Sequence, residues 1–108
     1  MITIEEDYGT ILIGENKNEN WQIIDESAKN DIWFHIENFP SCHVIFSAKD
    51  GYIVSKKDIK YIANICKIHT KKCSFLKNTR VNYTEIKNIR KGHEIGSVIM
   101  KKFNTVKV

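Results

Sequence analysis

The most constraining stretch of this sequence is DIWFHIENFPSCHV, residues 31–44. It begins with an aromatic and β-branched run, Ile32–Ile36, of the kind that packs well on the pleated surface of a strand. Pro40 then breaks the pattern, because it has no backbone N–H to donate and it pushes Phe39 into an extended conformation. A second apolar run follows at residues 43–47. The stretch therefore predicts two antiparallel strands joined by a turn.

Alternation along the first strand separates two kinds of side chain. Successive side chains point to opposite faces of a sheet, so Trp33 and His35 share one face. The other face holds the apolar residues Ile32, Phe34 and Ile36. A strand tryptophan usually belongs to a core, but next to His35 it could also stack on a nucleotide base. Both interpretations of Trp33 stay open at this point.

Length and composition indicate one small domain. With 108 residues, 42% of them apolar, and a single proline, the chain can bury one core and shows no linker or repeat. No apolar run approaches the roughly 20 residues that span a bilayer, and the acidic start does not resemble a secretory signal. We therefore expect one domain over residues 1–108, in the cytoplasm and without a membrane partner.

Charge is divided unevenly between the two halves of the chain. Residues 1–54 carry 3 Lys and Arg against 10 Asp and Glu, whereas residues 55–108 carry 14 against 3, so balances of −7 and +11 give the net +4. Clustered basic residues are typical of surfaces that bind polyanions, because they displace the counterions of a phosphate backbone. The alternative is a solvated surface whose two halves balance each other. We favour a functional basic face.

The first quarter of the chain predicts a hairpin followed by a helix. Residues 2–6 and 10–13 alternate or are β-branched, which is typical of paired strands. Residues 16–28 then carry Trp21, Ile24 and Ala28 at helical spacing. The asparagine-rich start of this helix could cap it or could present amide donors to a phosphate.

A second helix is predicted to begin after Ser55. Ser55 and Asp58 have the spacing of a capping box. The apolar positions of this segment fall on one face, and they are Ile59, Ile62, Ala63 and Cys66. A neighbouring strip is basic and consists of Lys56, Lys60, Lys67 and Lys71. This strip could hold a phosphate backbone, although solvated surface helices look alike.

The last third of the chain predicts more strands. Residues 80–89 alternate between apolar and polar, and residues 97–101 and 105–108 suggest a closing hairpin. Between them, residues 90–96 form a basic segment that starts with Arg90 and Lys91 and contains two glycines. Glycines permit close approach of a ligand, but they also serve plain connections between strands.

The sequence argues against an enzyme and against a metal site or cofactor. Cys42 and His43 are adjacent on a predicted strand, so they point to opposite faces and cannot form a dyad. His35 and His43 could approach each other across the turn, but no third metal ligand is evident. The three cysteines form no C-x-x-C pair, and their odd number favours reduced thiols.

Three segments taken together resemble the NFACT-R domain family. They are ILIGENKNEN, SAKNDIWFHIENFPSCHVIF and VNYTEIKNIRKGHEIGSVIM, which follow the family's order of a glycine–basic–asparagine run, a D-x-W-F-H strand, an F-P-G-S-H-V turn and a late basic loop ending in glycine. The resemblance covers most of the chain. It implies an RNA-binding module of the kind found in ribosome quality-control proteins, which engage tRNA on stalled large subunits, or found alone.

By position, the resemblance implies a set of functional residues in this chain. They are Gly14, Asn16, Asn20, Asp31, Trp33, His35, Ser41, His43, Arg90 and Lys91. Two departures stand out: Glu15 replaces a basic residue after the first glycine, and the turn has Ser41 and Cys42 where the family has glycine and serine. The first removes a cation and the second a flexible residue, so binding could be altered.

We interpret the sequence as a single α+β domain with a mainly antiparallel β-sheet and two principal helices. The predicted function is binding of RNA, either tRNA or ribosomal RNA, with the ribosomal large subunit as a candidate partner. Lys56, Lys60, Arg90 and Lys91 would supply charge, while Trp33 and His35 would stack or hydrogen-bond. DNA binding is a close variant. The rival from another class is a protein-interaction module that docks on a basic protein through the acidic half.

Overall fold

The computed structural model describes residues 1–108, and β-strands provide most of its regular structure. Eight strands, two α-helices and one turn of 3-10 helix follow each other in the order β1 (Ile2–Glu6), β2 (Gly9–Gly14), α1 (Lys17–Asp25), β3 (Ile32–Ile36), β4 (His43–Ala48), α2 (Lys56–Ile68), β5 (Arg80–Glu85), the 3-10 turn (Ile86–Asn88), β6 (Ile89–Lys91), β7 (Val98–Met100) and β8 (Asn104–Lys107). The predicted α+β class with a mainly antiparallel sheet and two helices is confirmed.

Six of the strands form one antiparallel sheet in the order β1-β2-β4-β3-β5-β8. The predicted pairing at the centre is confirmed, since Ile32, Trp33 and Phe34 lie opposite Phe46, Ile45 and Val44. β3 also pairs with β5, where His35 lies opposite Asn82. The two strands of the constraining stretch are therefore the middle of the sheet, held on both sides by hydrogen bonds.

Alternation along the strands gives the sheet two buried faces. On one face Phe34, Val44 and Phe46 join the main core beneath α2. On the other, Trp33 and Ile45 form a second, smaller core. This second core is covered by α1, through Ile23, and by the β6–β7 ribbon and its flanking residues. The face of Trp33 and His35 is therefore a partly covered surface whose open part lies at the His35 end.

Helix α2 forms as its sequence predicts. Ser55 accepts a hydrogen bond from the Asp58 backbone N–H, and the Asp58 carboxylate accepts one from the Ser55 N–H, which completes the capping box. The four apolar residues of the predicted face are all buried: Ile59, Ile62, Ala63 and Cys66. The helix ends at Ile68, so Lys71 lies in the following loop and not on the predicted basic strip.

Helix α1 is shorter than predicted, and only part of the predicted apolar stripe lies on its buried face. It has nine residues, and its buried side chains are Asn20 and Ile23. Trp21 is half-buried under the β6–β7 ribbon, where its Nε1 donates to the Ser97 carbonyl at 2.9 Å. Ala28 lies beyond the helix in a turn. A short helix lying across a sheet buries only the few residues that face the sheet, so the predicted stripe is confirmed at Ile24, which packs against the second core, and was wrong at Ala28.

The predicted closing hairpin was also wrong. β7 pairs with β6, and β8 pairs with β5 at the edge of the main sheet. Arg90 and Lys91 accordingly lie in strand β6 and not in a loop. Apolar side chains of the ribbon, including Val98, pack on the second core, and this burial draws the ribbon away from β8.

Neither helix has the length and apolar character needed to cross a membrane.

Candidate nucleic-acid interface

A cleft of about 910 Å³ opens beside the turn between β3 and β4. Its walls come from the start of α1, the β3–β4 turn, the loop after α2 and the connection from β6 to β7. Gly96 in that connection has a φ of +88°, and an added Cβ would lie 2.9 Å from Lys17 Cα, so glycine lets the connection pack against α1. The cleft volume is typical of sites that enclose small molecules or parts of larger ones.

Three aromatic rings on β3 and β4 form a cluster at the floor of the cleft. Trp33 and His35 are stacked, with centroids 5.6 Å apart and planes 7° from parallel. His43 meets both rings edge-on, at 5.3 Å from Trp33 and 5.0 Å from His35. Trp33 is only 2% exposed, and its ring is enclosed by the second core and by the histidines. Trp33 therefore orients the histidines and has no open face for a base.

Both histidines of the cluster are held in the neutral state. Burial lowers the pKa of His43 to about 3, with a smaller contribution from the neighbouring His35, and burial also lowers the pKa of His35. The Trp33 indole N–H donates to His43 Nδ1 at 3.1 Å. A neutral imidazole whose Nδ1 accepts must carry its proton on Nε2. His43 therefore has a fixed tautomer, with its remaining donor on the far side of the ring.

Asn20 ties helix α1 to the edge of this cluster. Its side-chain oxygen accepts a hydrogen bond from the His43 backbone N–H at 3.2 Å. Gly14 lies directly beneath, since an added Cβ would come within 3.0 Å of the Asn20 backbone nitrogen and would overlap its side chain. Asn16 caps α1 by accepting from the Glu19 N–H at 2.9 Å. These family-motif residues therefore build one wall of the cleft.

The remaining motif residues of the turn also have structural partners. Ser41 accepts a hydrogen bond from the Ile36 N–H and donates to the Cys42 carbonyl, so it fixes the turn at the lip of the cleft. Asp31 lies outside the cleft and accepts from the Ala28 N–H at 2.8 Å, which shapes the entry to β3. Asp31 would therefore not contact a ligand that binds in the cleft.

The basic residues named from the sequence are spread over other parts of the surface. Lys56 and Lys60 lie in the first half of α2, away from the cleft. Lys91 pairs with Asp25 at 2.7 Å and lies 5.0 Å over the Trp21 ring, so its charge is already engaged. Arg90 is exposed but does not line the cleft. None of these four cations is at the cleft.

Other basic residues line the cleft instead. Lys17 lies at the start of α1, and Lys71 and Lys72 lie in the loop after α2, together with His69. All three lysines are exposed, and none has a carboxylate within ion-pair distance. The sequence named Lys71 only as a member of the basic strip predicted on α2, and nothing in it indicated that the loop after this helix reaches the β3–β4 turn.

Two further groups in the cleft were not predicted. Asn82 on β5 is 4% exposed and lies opposite His35, and its side-chain oxygen accepts from Thr105 at 2.9 Å. Phe39 in the β3–β4 turn is 40% exposed and lines the mouth of the cleft. Strand pairing brings Asn82 into position, and pairing partners are not encoded in the local pattern.

The predicted separation of Cys42 and His43 is found in the structure. Cys42 points into the main core, with its Sγ 3.9 Å from that of Cys66, whereas His43 points to the ring cluster. All three cysteines are free thiols. No group of three or more His, Cys, Asp or Glu side chains is placed to hold a metal ion.

Comparison with known proteins gives one family and several relatives. Residues 1–102 match the family model described as the NFACT protein RNA binding domain, a family defined by binding and not by a catalysed reaction. Coiled-coil domain-containing protein 25 of Mus musculus and that of Bos taurus are each 27% identical over 104 residues. These alignments cover 92% of this chain and 50% of each relative, so the chain spans about half the length of the curated relatives it matches.

A solved structure shares the fold. The C-terminal part of the fibronectin/fibrinogen-binding protein from Streptococcus suis superposes with a TM-score of 0.81 at 24% identity. The superposition covers 93% of this chain and 40% of the solved one.

Proposed function

We propose that this chain, which belongs to the family of NFACT protein RNA binding domains, binds RNA in the cleft between α1, the β3–β4 turn and the loop after α2. Family membership supports nucleic-acid binding in general. The cleft is our proposal for where that binding takes place.

One observation carries the proposal. Most of the motif residues that underlie the family resemblance meet at a single concave site, and they are Asn16, Asn20, Trp33, His35, Ser41 and His43. The same site has a rim of unpaired lysines, Lys17, Lys71 and Lys72. Phosphate contacts from such cations supply most of the affinity for nucleic acid, while neutral polar and aromatic groups read the bases.

The RNA that we propose is tRNA or ribosomal RNA, encountered on the large ribosomal subunit in the cytoplasm. This part of the proposal is supported by the resemblance to domains of ribosome quality-control proteins. If tRNA is the ligand, it should displace a generic RNA from the same cleft. A protein partner docked through the acidic half would instead persist in pull-downs after nuclease treatment, and that result would contradict the proposal.

The experiment compares two double variants with the same change of charge. Lys71→Ala with Lys72→Ala removes two cations from the cleft, and Lys56→Ala with Lys60→Ala removes two from the first half of α2. All four lysines are exposed and free of ion pairs. Binding of a fluorescently labelled 12-nucleotide single-stranded RNA and of a tRNA is measured by anisotropy at several salt concentrations, with single-stranded DNA of the same sequence alongside.

We expect the cleft variant to lose roughly tenfold or more in affinity. The slope of log affinity against log salt concentration should become less steep by about 1.4, because each lost single-strand phosphate contact removes about 0.7. The α2 variant should lose less than about threefold. Equal losses in both variants would contradict binding at the cleft. Affinity for DNA equal to that for RNA would contradict the assignment to RNA, and absence of any binding would overturn the function.

A further inference from the structure

The floor of the cleft is electrically neutral, whereas its rim is cationic. His43 is buried, His35 is half-buried, both are uncharged at neutral pH, and the neighbouring side chain, Asn82, is an amide. The cations Lys17, Lys71 and Lys72 are exposed at the rim. A phosphate pressed into such a floor would lose its hydration without meeting an opposite charge, which is costly. The floor therefore suits a neutral group and the rim suits phosphates.

The floor also holds hydrogen-bonding groups without partners in the protein. His43 is 3% exposed and lines the cleft, and its Nδ1 is occupied by Trp33, so its Nε2–H is the donor left for a ligand. The Asn82 side-chain oxygen is bonded to Thr105, which leaves its NH₂ group. Thr79 Oγ1 is the only side-chain polar atom that is both cut off from solvent and without a hydrogen-bond partner. Both of these nitrogens are therefore open to solvent. Donors of this kind match the carbonyl oxygens and ring nitrogens of nucleotide bases.

An open aromatic ring lies at the mouth of the same cleft. Phe39 is 40% exposed, in contrast to Trp33, which is enclosed. Base stacking on an exposed aromatic side chain is a common source of affinity for single strands. The cleft thus combines a stacking surface at its lip, neutral donors at its floor and cations at its rim.

We propose that the cleft takes the base of an unpaired nucleotide, with the base inserted past Phe39 toward His43 and Asn82 and the backbone held outside by Lys17, Lys71 and Lys72. This inference rests on the proposed function and names the form of RNA that the site selects. A base paired within a helix has its hydrogen-bonding edge occupied and its faces stacked, so it cannot enter a concave site without being extruded.

Three RNA probes of equal length test the inference with the full chain. They are a 12-nucleotide single strand, the same strand paired with its complement, and a strand of the same length with an abasic ribonucleotide at every position. The abasic probe keeps every phosphate and lacks every base. Affinity for each probe is measured at one fixed salt concentration, so that electrostatic binding is comparable.

Two exposed phenylalanines provide a matched pair of variants. Phe39→Ala removes the ring at the cleft, and Phe75→Ala removes a ring that is 79% exposed in the loop between α2 and β5 and does not line the cleft. Because both side chains are exposed, neither change should unfold the domain, and circular dichroism checks this.

We expect the single strand to bind about tenfold tighter than the duplex and about tenfold tighter than the abasic strand. Phe39→Ala should weaken binding of the intact strand severalfold and leave the abasic strand unchanged, and Phe75→Ala should have no effect. Equal affinity for the intact and abasic strands, with loss in the Lys71 and Lys72 variant, would overturn this inference and leave the proposed function standing. Failure of all probes to bind would overturn both.

Discussion

The two histidines of the ring cluster should make this domain lose stability as the pH is lowered, at pH values above those at which the carboxylates titrate. His43 has a folded-state pKa of about 3, against an ordinary value of 6.5, because it is buried beside Trp33 and His35. As the pH falls below 6.5, the unfolded chain binds a proton at this position and the folded protein does not. Stability from this group is therefore fully present above pH 6.5 and is lost progressively toward pH 3.

The size of the effect follows from the two pKa values. Each unit of pH between them costs about 1.36 kcal/mol, so lowering the pH to 5 should reduce the free energy of unfolding by about 2 kcal/mol through His43 alone. The lowered pKa of His35 adds a loss in the same direction. Glu19 and Asp58 also have lowered pKa values, but their ordinary values of 4.5 and 3.8 place their losses at lower pH.

Urea unfolding at pH 7, 6 and 5, followed by tryptophan fluorescence, measures this loss. The matched variant is His43→Asn, whose side-chain oxygen can accept from the Trp33 indole but whose amide does not titrate. The variant should start less stable and should lose about 2 kcal/mol less between pH 7 and pH 5. A wild-type protein with constant stability over this range, or a variant with the wild-type pH dependence, would refute the reasoning.

Three further changes have defined outcomes. Ser55→Ala removes the N-cap of α2 and should lower the free energy of unfolding by about 1 kcal/mol, seen as a lower urea midpoint with an unchanged m-value. Gly14→Ala forces a Cβ against Asn20 and should cost about 1–3 kcal/mol; full stability would show that α1 can shift freely. Glu15→Gln removes a carboxylate from the cleft wall and should raise RNA affinity about two- to fivefold, whereas the exposed Asp50→Asn, outside the cleft, should not.

Local sequence signals predicted the parts of the fold that depend on local rules. The capping box at Ser55 and the apolar spacing from Ile59 to Cys66 defined α2, because both reflect contacts within one helix or along one of its faces. The period of two separated Trp33 and His35 from Phe34, since alternation is a property of any strand. The turn at Pro40 follows from proline itself.

The parts that were missed depend on contacts between distant segments. β7 pairs with β6 and not with β8, because the ribbon packs on the second core, and a three-residue strand carries too little pattern to show this. The burial of Trp33 is imposed by α1 and the ribbon from outside its own strand. Lys71 and Lys72 reach the cleft only because α2 ends next to the β3–β4 turn. The sequence placed Lys71 only in the basic strip predicted on α2, and the cations that it favoured were Lys56, Lys60, Arg90 and Lys91.

The central claim is that RNA binds in the cleft above the ring cluster. The most direct measurement is a titration of ¹⁵N-labelled protein with the 12-nucleotide single-stranded RNA, followed by NMR of backbone amides and of the Trp and His ring N–H groups. We predict that the largest shifts occur at Phe39, His43, Lys71 and Lys72 and at the Trp33 indole, which is bonded to His43. Shifts confined to the first half of α2 around Lys56 and Lys60, with the cleft signals unchanged, would contradict the account.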